Sequence, residues 1–292
     1  MKEYGEVLEN VNLKDYSTFK VGGIAKYLIK VFDEESLIKL IKYLKTNNLK
    51  YFILGNGSNV IFDDSYFDGV IIKLDYFDKI TFDGNIVSAE SGIKLPFLVQ
   101  KTLNEGFTSL AFASMIPGTV GGSIVGNAGC YHHELMEYLL DVTVMDHNGK
   151  VKTLTKNDIS FGYRYTSLKN HYLVLNCRFI LEKGDVDQAR EELKMQNLKR
   201  KETQPLDKFN VGSIFRNPEN MAAGKLIEDL GLKGYMIGGA KVSEKHANFI
   251  VNEDNATFED IIKLIDYIKA EVKTNYNIDL VLEPTIVKWN EI

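Results

Sequence analysis

Residues 55–59 read Gly-Asn-Gly-Ser-Asn, and this short polar stretch lies between two apolar segments, residues 51–54 and 60–61. The apolar segments indicate strands, and the glycines between them indicate a bend that leaves backbone N–H groups exposed. Such a bend is either a tight turn or a cradle for an anion. A second glycine-rich stretch, residues 116–129 (IPGTVGGSIVGNAG), presents the same alternatives. Neither stretch matches the phosphate-binding GxxxxGK[ST] pattern or GxGxxG before a helix.

Composition excludes several classes of function. The chain has 292 residues, 45% of them hydrophobic, which is enough for two or three packed domains. Its formal net charge of −5 lacks the basic excess that a general nucleic-acid binder needs, so no nucleic-acid partner is expected. No apolar leader or spanning segment is present, so we expect a cytoplasmic protein without a membrane partner. Cys130 and Cys177 have no partner spacing, so neither a metal site nor a disulfide is expected.

Periodicity gives the order of the elements. An amphipathic helix over 34–47, between strands at 27–31 and 51–54, predicts a β-α-β start. The chain from about residue 76 has short alternating strands separated by Asp-Gly and Asn-Gly turns at 83–84 and 148–149. Further elements are predicted as a strand at 69–74, helices at 95–104, 185–202, 223–230 and 257–276, and a closing strand at 280–287.

Four polar residues in apolar or glycine-containing surroundings are candidates for chemistry, and each has a structural alternative. Arg164, between aromatic residues, is either an ion-pair partner or a carboxylate binder. Ser213 is either a turn hydroxyl or a proton donor, and no GxSxG elbow surrounds it. Glu283 interrupts an apolar strand and must be paired, hydrogen-bonded or shifted in pKa. His246 is favoured as a structural, hydrogen-bonded histidine over a catalytic one.

Several motifs occur in one order across residues 17–284, and together they resemble the UDP-N-acetylenolpyruvoylglucosamine reductase family. The motifs are STFKVGG at 17–23, LGNGSNV at 54–60, IPGTVGG at 116–122, NAG at 127–129, FGYRYTSLK at 161–169, QPLDKFNVGSIFRNP at 204–218, AAGKLIEDLGLKGYMIGGAKVSEKHANFIVNEDNA at 222–256 and LEP at 282–284. Each motif alone is modest, but the ordered set is specific. The short third section, without an inserted tyrosine-bearing loop, resembles the compact subclass.

The resemblance implies an α+β fold: a two-subdomain FAD-binding module of the vanillyl-alcohol-oxidase (PCMH) type, followed by a smaller α+β substrate-binding domain. We expect the first subdomain at residues 1–74, with a C-terminal strand at 279–292 returning to it. The second subdomain is expected at 75–205, and the substrate-binding domain at 206–278. A monomer is expected.

The resemblance also implies the cofactors and the residues that contact them. FAD is expected to lie between the two subdomains, with its diphosphate held by N–H groups of both glycine-rich stretches, and NADPH is the expected hydride donor. The expected FAD-binding residues are Ser17, Thr18, Gly55, Asn56, Gly57, Ser58, Asn59, Pro117, Gly118, Thr119, Gly121, Gly122, Asn127 and Ala128.

The reaction implied by the resemblance is reduction of the enolpyruvyl ether of UDP-N-acetylglucosamine, a step of peptidoglycan precursor synthesis. Arg164 and Glu283 match the positions that bind and stabilise the enolate-like species, and Ser213 matches the general acid. Tyr163, Lys201 and Asn217 are the expected contacts of the substrate.

Two other interpretations remain open at this point. The first is a flavin oxidase or dehydrogenase acting on an alcohol or a sugar with the same fold, for which His132 is the candidate residue for covalent flavin attachment. The second is a non-catalytic nucleotide-binding protein. The presence of Arg164, Ser213 and Glu283 weighs against the second interpretation.

Overall fold

The computed structural model describes residues 1–292, and these form two compact units. The first unit comprises Met1–Glu9, Tyr27–Asn56 and Asp68–Gln196. The second comprises Asn10–Lys26, Gly57–Phe67 and Asn197–Ile292. The three domain ranges expected from the sequence stay a prediction.

The secondary structure mixes helices and strands along the whole chain. The strands are β1 Gly5–Asn12, β2 Ile24–Val31, β3 Lys50–Ile53, β4 Val60–Phe62, β5 Phe67–Lys73, β6 Ile80–Asp83, β7 Ile86–Glu90, β8 Gly129–Cys130, β9 His133–Glu134, β10 Leu139–Asp146, β11 Val151–Thr155, β12 Phe161–Gly162, β13 Tyr165–Thr166, β14 Tyr172–Ile180, β15 Met236–Ile237, β16 Ala240–Val242, β17 Ile250–Asn252 and β18 Thr285–Val287. The helices are α1 Glu34–Thr46, α2 Leu95–Asn104, α3 Val120–Val125, α4 Leu135–Tyr138, α5 Val186–Thr203, α6 Ala223–Asp229 and α7 Phe258–Tyr276. None of the helices has the length and apolar composition that crossing a membrane requires.

The first unit begins with the predicted β-α-β arrangement. A four-stranded sheet has the order β1-β2-β5-β3, and β3 pairs with β5 in parallel. The Asp33 side chain accepts a hydrogen bond from the Ser36 N–H at 2.8 Å and so caps helix α1. The apolar face of α1 is buried as the periodicity predicts, through Leu37, Leu40, Ile41 and Leu44.

A five-stranded antiparallel sheet forms the rest of this unit, in the order β11-β10-β14-β7-β6. Gly84 and Gly149, in the turns after β6 and β10, adopt φ values of 59° and 79°, which glycine reaches without strain. Both turns were predicted from sequence and are confirmed. Helix α2 covers the predicted range 95–104, and its buried side is part of the core of this sheet.

The second unit is built around helices α6 and α7 and the three-stranded sheet β15-β16-β17. Thr257 caps α7 by accepting the Asp260 N–H at 3.1 Å, and the Asp260 carboxylate accepts the Thr257 N–H at 2.9 Å. The prediction of one strand over 280–287 is wrong in its extent. Only Thr285–Val287 forms a strand, β18, which pairs in parallel with β4.

Candidate active site

Gly55 and Asn56, which begin the first glycine-rich stretch, contact the second stretch within the first unit. The Asn56 Nδ2 donates to the Pro117 carbonyl, and the Lys73 ammonium donates to the Gly55 carbonyl at 2.8 Å. A β-carbon at Gly55 would lie 2.9 Å from the Thr119 Oγ1, so glycine is needed for this approach. The sequence therefore brings two separate bends to one place, as an anion cradle requires.

The first bend keeps its backbone donors free. The N–H groups of residues 55–58 donate to no other group of the chain. Gly57 has a φ of 67°, and a β-carbon there would lie 1.8 Å from the Tyr16 carbonyl oxygen. The Thr18 N–H donates to the Gly57 carbonyl at 3.1 Å and so fixes the bend from its other side. A run of unpartnered N–H groups is what a phosphate-binding nest provides.

The second bend offers fewer donors than the sequence suggested. Pro117 has no N–H, and three later N–H groups are used within the chain: Val120 donates to Ile93 at 2.8 Å, Gly121 to the Ser91 carbonyl at 3.0 Å, and Gly122 to the Thr119 Oγ1 at 3.4 Å. The N–H groups of Gly118 and Thr119 have no partner in the chain. These two are the donors that 117–122 can give to a ligand.

Two buried hydroxyls lie beside the second bend without a hydrogen-bond partner. Ser91 and Ser123 are 3% and 4% exposed, and neither Oγ has a partner. The Ser123 Oγ lies 2.6 Å from the place where a β-carbon at Gly118 would sit. Orphaned hydroxyls are uncommon in a folded interior, and these two lie directly beside Gly121 and Gly118 of the second bend. The residues present therefore fit an FAD diphosphate.

Arg164 occupies the turn of the β12–β13 hairpin in the first unit. Its φ of 56° is a left-handed value that few residues other than glycine adopt. One guanidinium nitrogen, Nη2, donates to the Gly129 carbonyl at 2.7 Å, and the group lies 4.9 Å from the centre of the Tyr163 ring. Tyr163 itself is 47% exposed. The Nη2 edge of the guanidinium is thus held at the Gly129 carbonyl.

Ser213 and Glu283 lie on adjacent backbone segments of the second unit. Phe215 and Leu282 form an antiparallel bridge, and the Glu283 N–H donates to the Ile214 carbonyl at 2.9 Å. The Ser213 Oγ makes no hydrogen bond within the chain. The Asn59 side chain donates to the Glu283 carbonyl at 3.4 Å, which connects the end of the first bend to this pair of segments.

The segment that carries Ser213 is held by Asn248, which is 4% exposed. The Asn248 side chain accepts the Phe215 N–H at 3.0 Å and donates to the Phe215 carbonyl at 2.8 Å. Its backbone carbonyl accepts the Ile214 N–H at 2.8 Å. One buried asparagine therefore replaces a strand partner for residues 214–215 and orients the serine before them.

Most of the remaining residues that were predicted to contact a ligand make hydrogen bonds within the chain. The Thr18 hydroxyl donates to the Asn210 carbonyl at 2.7 Å, and the Ser17 Oγ accepts the Phe19 N–H at 3.2 Å. Asn217 accepts the Ala223 N–H at 3.1 Å, and Lys201 is exposed. Ala128 uses its N–H on the Ser123 carbonyl at 2.8 Å and its carbonyl on the Leu135 N–H at 3.0 Å.

Comparison with known proteins places this geometry in a family. Residues 204–287 match the C-terminal domain of UDP-N-acetylenolpyruvoylglucosamine reductase, and residues 25–155 match an FAD binding domain. The UDP-N-acetylenolpyruvoylglucosamine reductase of Caldanaerobacter subterraneus subsp. tengcongensis is 41% identical over 97% of this chain and 94% of its own length. That of Clostridium novyi is 42% identical, over 97% and 92%.

This chain belongs to the UDP-N-acetylenolpyruvoylglucosamine reductase family. Among solved structures, the reductase from Thermus caldophilus covers 97% of this chain and 99% of its own, with a TM-score of 0.82 and 31% identity. The predicted α+β fold with an FAD-binding module and a smaller C-terminal domain is confirmed. The reductase is an FAD-dependent oxidoreductase, and this confirms the predicted enzyme class and flavin cofactor.

Sequence reasoning missed several residues that organise the reductase site. Ser91, Ser123, Glu134 and Asn248 were not singled out, although each stands in or beside a motif. Ser91 lies in AESG directly before Gly92, and Asn248 lies in KHANF two residues after His246. The structure forms no group of three or more His, Cys, Asp or Glu side chains that could hold a metal.

His246 supports Asn248 and is a structural histidine in this reductase. Its Nδ1 accepts the Asn248 N–H at 3.2 Å, and its ring meets Phe249 edge-on with centroids 4.9 Å apart. Burial, helped by Lys233, lowers the pKa of His246 below its ordinary value of 6.5. The neutral ring is the form that can accept at Nδ1.

We expect the reductase to lose stability through His246 as the pH falls below 6.5. The unfolded chain takes up the imidazole proton at a higher pH than the folded chain, so acid favours unfolding in this window. Urea unfolding at about pH 7.5 and about pH 5 measures the effect in wild type, His246→Gln and the exposed control His147→Gln. Equal pH-dependent losses in wild type and His246→Gln would show that His246 does not cause them.

Proposed function

We propose that this reductase uses NADPH and FAD to convert the enolpyruvyl ether of UDP-N-acetylglucosamine to UDP-N-acetylmuramate. The observation that supports it most directly is the combination, at two glycine-rich bends, of unpartnered N–H groups and orphaned buried hydroxyls. When bound, the flavin supplies the hydride chemistry. The names of the relatives, each a UDP-N-acetylenolpyruvoylglucosamine reductase, agree with this substrate.

The cofactor diphosphate is held by main-chain donors in this proposal. The N–H groups of Gly55, Asn56, Gly118 and Thr119, all in the first unit, would hold it. Directed N–H groups at short range outweigh distant surface charge that salt screens, so an acidic protein can bind this anion. Asn127 and Thr18 serve the cofactor by shaping the bends, since their side chains contact other parts of the chain. Pro117 does so through its carbonyl, which accepts the Asn56 Nδ2.

Arg164 binds the substrate carboxylate and opposes the negative charge that grows there during reduction. A guanidinium already fixed at the Gly129 carbonyl presents a planar fork that matches a carboxylate and needs little reorganisation. Tyr163 stacks against the guanidinium and borders the substrate. The exposed Lys201 and Asn217 contact the UDP-sugar portion.

Ser213 donates the proton that completes the lactyl ether. A hydroxyl without an intramolecular partner can turn toward the substrate carbon and gives up its proton as carbanion character develops. Glu283, on the neighbouring segment, is partly buried and supports the same charged species as a protonated or hydrogen-bonded carboxyl group. Monomeric state and a cytoplasmic location complete the proposal, and gel filtration checks the first.

Anaerobic half-reactions test the proposal. NADPH is expected to bleach the bound flavin, and the enolpyruvyl ether of UDP-N-acetylglucosamine is expected to restore the oxidised spectrum with one equivalent of UDP-N-acetylmuramate. Oxygen is expected to reoxidise the reduced flavin more slowly than the enolpyruvyl ether does. Rapid reoxidation by oxygen with none by the enolpyruvyl ether would instead identify an oxidase of the same fold, and a colourless protein that takes up no FAD would identify a non-catalytic one.

A further inference from the structure

We propose that Asn127 and Glu134 form a clamp that sets the orientation of the Arg164 guanidinium, and that both are positioning residues for the substrate carboxylate. The part concerning the carboxylate rests on the proposed function. The clamp itself is a property of the first unit and has its own test. Neither side chain is assigned to contact the substrate.

Asn127 uses its whole side-chain amide inside the protein. It is fully buried, and its Nδ2 donates to the Glu134 Oε2 at 2.7 Å and to the Gly162 carbonyl at 2.9 Å. Its Oδ1 accepts the Met136 N–H at 3.2 Å. Two acceptors face the nitrogen and one donor faces the oxygen, so the pattern admits one orientation of the amide. The side chain has no N–H left for the cofactor.

These contacts link the hairpin that carries Arg164 to the loop at residues 127–134. Gly162 lies two residues before Arg164 in the hairpin, and Arg164 reaches across to the Gly129 carbonyl at 2.7 Å. Gly129 and Glu134 are paired opposite each other in strands β8 and β9. The hairpin is therefore connected to the 127–134 loop by two hydrogen bonds. The Asn127 side chain donates to the Gly162 carbonyl, and the Arg164 guanidinium donates to the Gly129 carbonyl.

The backbone geometry explains why such a clamp is needed. Arg164 has a φ of 56°, a conformation that a residue with a β-carbon keeps only when its surroundings fix it. Glu134 is itself fixed, because its carboxylate also accepts the Glu137 N–H in a capping box and its N–H donates to the Glu137 carboxylate at 2.8 Å. The strained turn and its anchor are thus connected through two rigid side chains.

Two single variants open the clamp at different points. Asn127→Asp removes both N–H donors and sets a carboxylate against Glu134, so KM for the enolpyruvyl ether is expected to rise about 10–100-fold. Glu134→Gln keeps the size but leaves one side-chain oxygen for two N–H donors, and a smaller rise of about 5–10-fold is expected. In Glu134→Gln, whose residue has no assigned contact with the cofactor, flavin reduction by NADPH and FAD affinity are expected to stay within about threefold of wild type.

The double variant Asn127→Asp/Glu134→Gln exchanges the amide and the carboxylate between the two positions. It tests whether residues 127 and 134 act through their direct hydrogen bond or independently of each other. The amide at 134 can then donate to the carboxylate at 127, while its oxygen accepts the Glu137 N–H. The Gly162 carbonyl stays without its donor. The double variant is expected to bind substrate about tenfold better than the product of the single effects predicts. Asp158→Asn, which makes the same charge change as Glu134→Gln in a separate capping box, is the matched control for that variant and is expected to match wild type.

A spectroscopic readout tests the clamp without substrate. The sequence has five arginines, so the ¹⁵N guanidinium signals of the FAD-loaded protein can be assigned with Arg164→Lys. Slow rotation of the Arg164 guanidinium is expected in wild type and Asp158→Asn, and faster rotation in Asn127→Asp and Glu134→Gln. Glu134→Gln carries the comparison if Asn127→Asp does not fold.

The outcomes distinguish the clamp from the proposed function. Unchanged Arg164 rotation in a folded clamp variant overturns the clamp, as does a double variant that equals the product of the singles. Equal losses in flavin reduction and in reoxidation would show a general structural defect and also overturn it. A wild-type enzyme that the enolpyruvyl ether does not reoxidise refutes the proposed function, while the rotation measurement still decides the clamp.

Discussion

Ser213→Ala is expected to slow reoxidation of the reduced reductase by the enolpyruvyl ether about 10²–10⁴-fold, the range for loss of a positioned general acid. Reduction of the flavin by NADPH needs no proton from this hydroxyl and is expected to stay near the wild-type rate. The reason is geometric: the Ser213 Oγ makes no hydrogen bond within the chain, while Asn248 and the 281–283 segment fix the backbone that carries it. Anaerobic stopped-flow spectroscopy measures the two half-reactions separately.

Ser243→Ala is the matched control for this experiment. Ser243 lies in the same unit, is 4% exposed, and accepts the Lys245 N–H at 3.2 Å, so its loss affects stability but removes no proton donor. Ser213→Cys retains a weaker hydrogen-bond donor, and its rate of reoxidation by the enolpyruvyl ether is expected to lie between those of Ser213→Ala and wild type. Equal slowing of both half-reactions in Ser213→Ala would remove this serine from the role of general acid.

Arg164→Lys is expected to lower kcat/KM for the enolpyruvyl ether about 10²–10³-fold, the cost of losing one preorganised donor at a developing anion. Lysine keeps the positive charge but lacks the planar fork that can donate both to the Gly129 carbonyl and to a carboxylate. The residue also has a φ of 56°, so the new side chain starts from the same strained backbone. Steady-state kinetics with varied substrate at saturating NADPH measures the effect.

Arg178→Lys makes the same chemical change at a half-exposed arginine that pairs with the buried Asp141, and it is the control. Arg178 has no part in the proposed substrate binding, so kcat/KM is expected to be unchanged in the folded variant. A decrease of less than about fivefold in Arg164→Lys, with Arg178→Lys unaffected, would mean that Arg164 does not bind the substrate carboxylate.

Local signals were enough to predict most elements of the fold. Helix α1 has a capping aspartate and a regular apolar stripe, and helix α7 has a threonine cap with acids in its first turn, so both were predicted within one residue. The residues 280–284 have the alternation of a strand but lack a regular partner. They lie beside the irregular 214–216 segment and are joined to it by single hydrogen bonds. The local sequence contains no pattern from which such a pairing can be predicted.

The candidate site was predicted in its motifs but not in its supporting contacts. The free N–H groups at 55–58 follow from glycine and small polar residues, which the sequence displays directly. Which donors of 117–122 remain free depends on Ile93 and Ser91, which lie 27 and 30 residues before their donors Val120 and Gly121. Asn127 has the residue type of a ligand contact, and only its distant partners, Glu134 and Gly162, show that its amide is already used.

The central claim is that main-chain donors at the two bends hold a diphosphate. The most direct measurement is titration of the apoprotein with FAD and with FMN, followed by flavin fluorescence, because FMN has a single phosphate and no adenosine diphosphate portion. We expect FAD to bind at least about 100-fold more tightly than FMN, since charge-assisted hydrogen bonds contribute about 1.5–3 kcal/mol each. Equal affinities for the two flavins would contradict the claim.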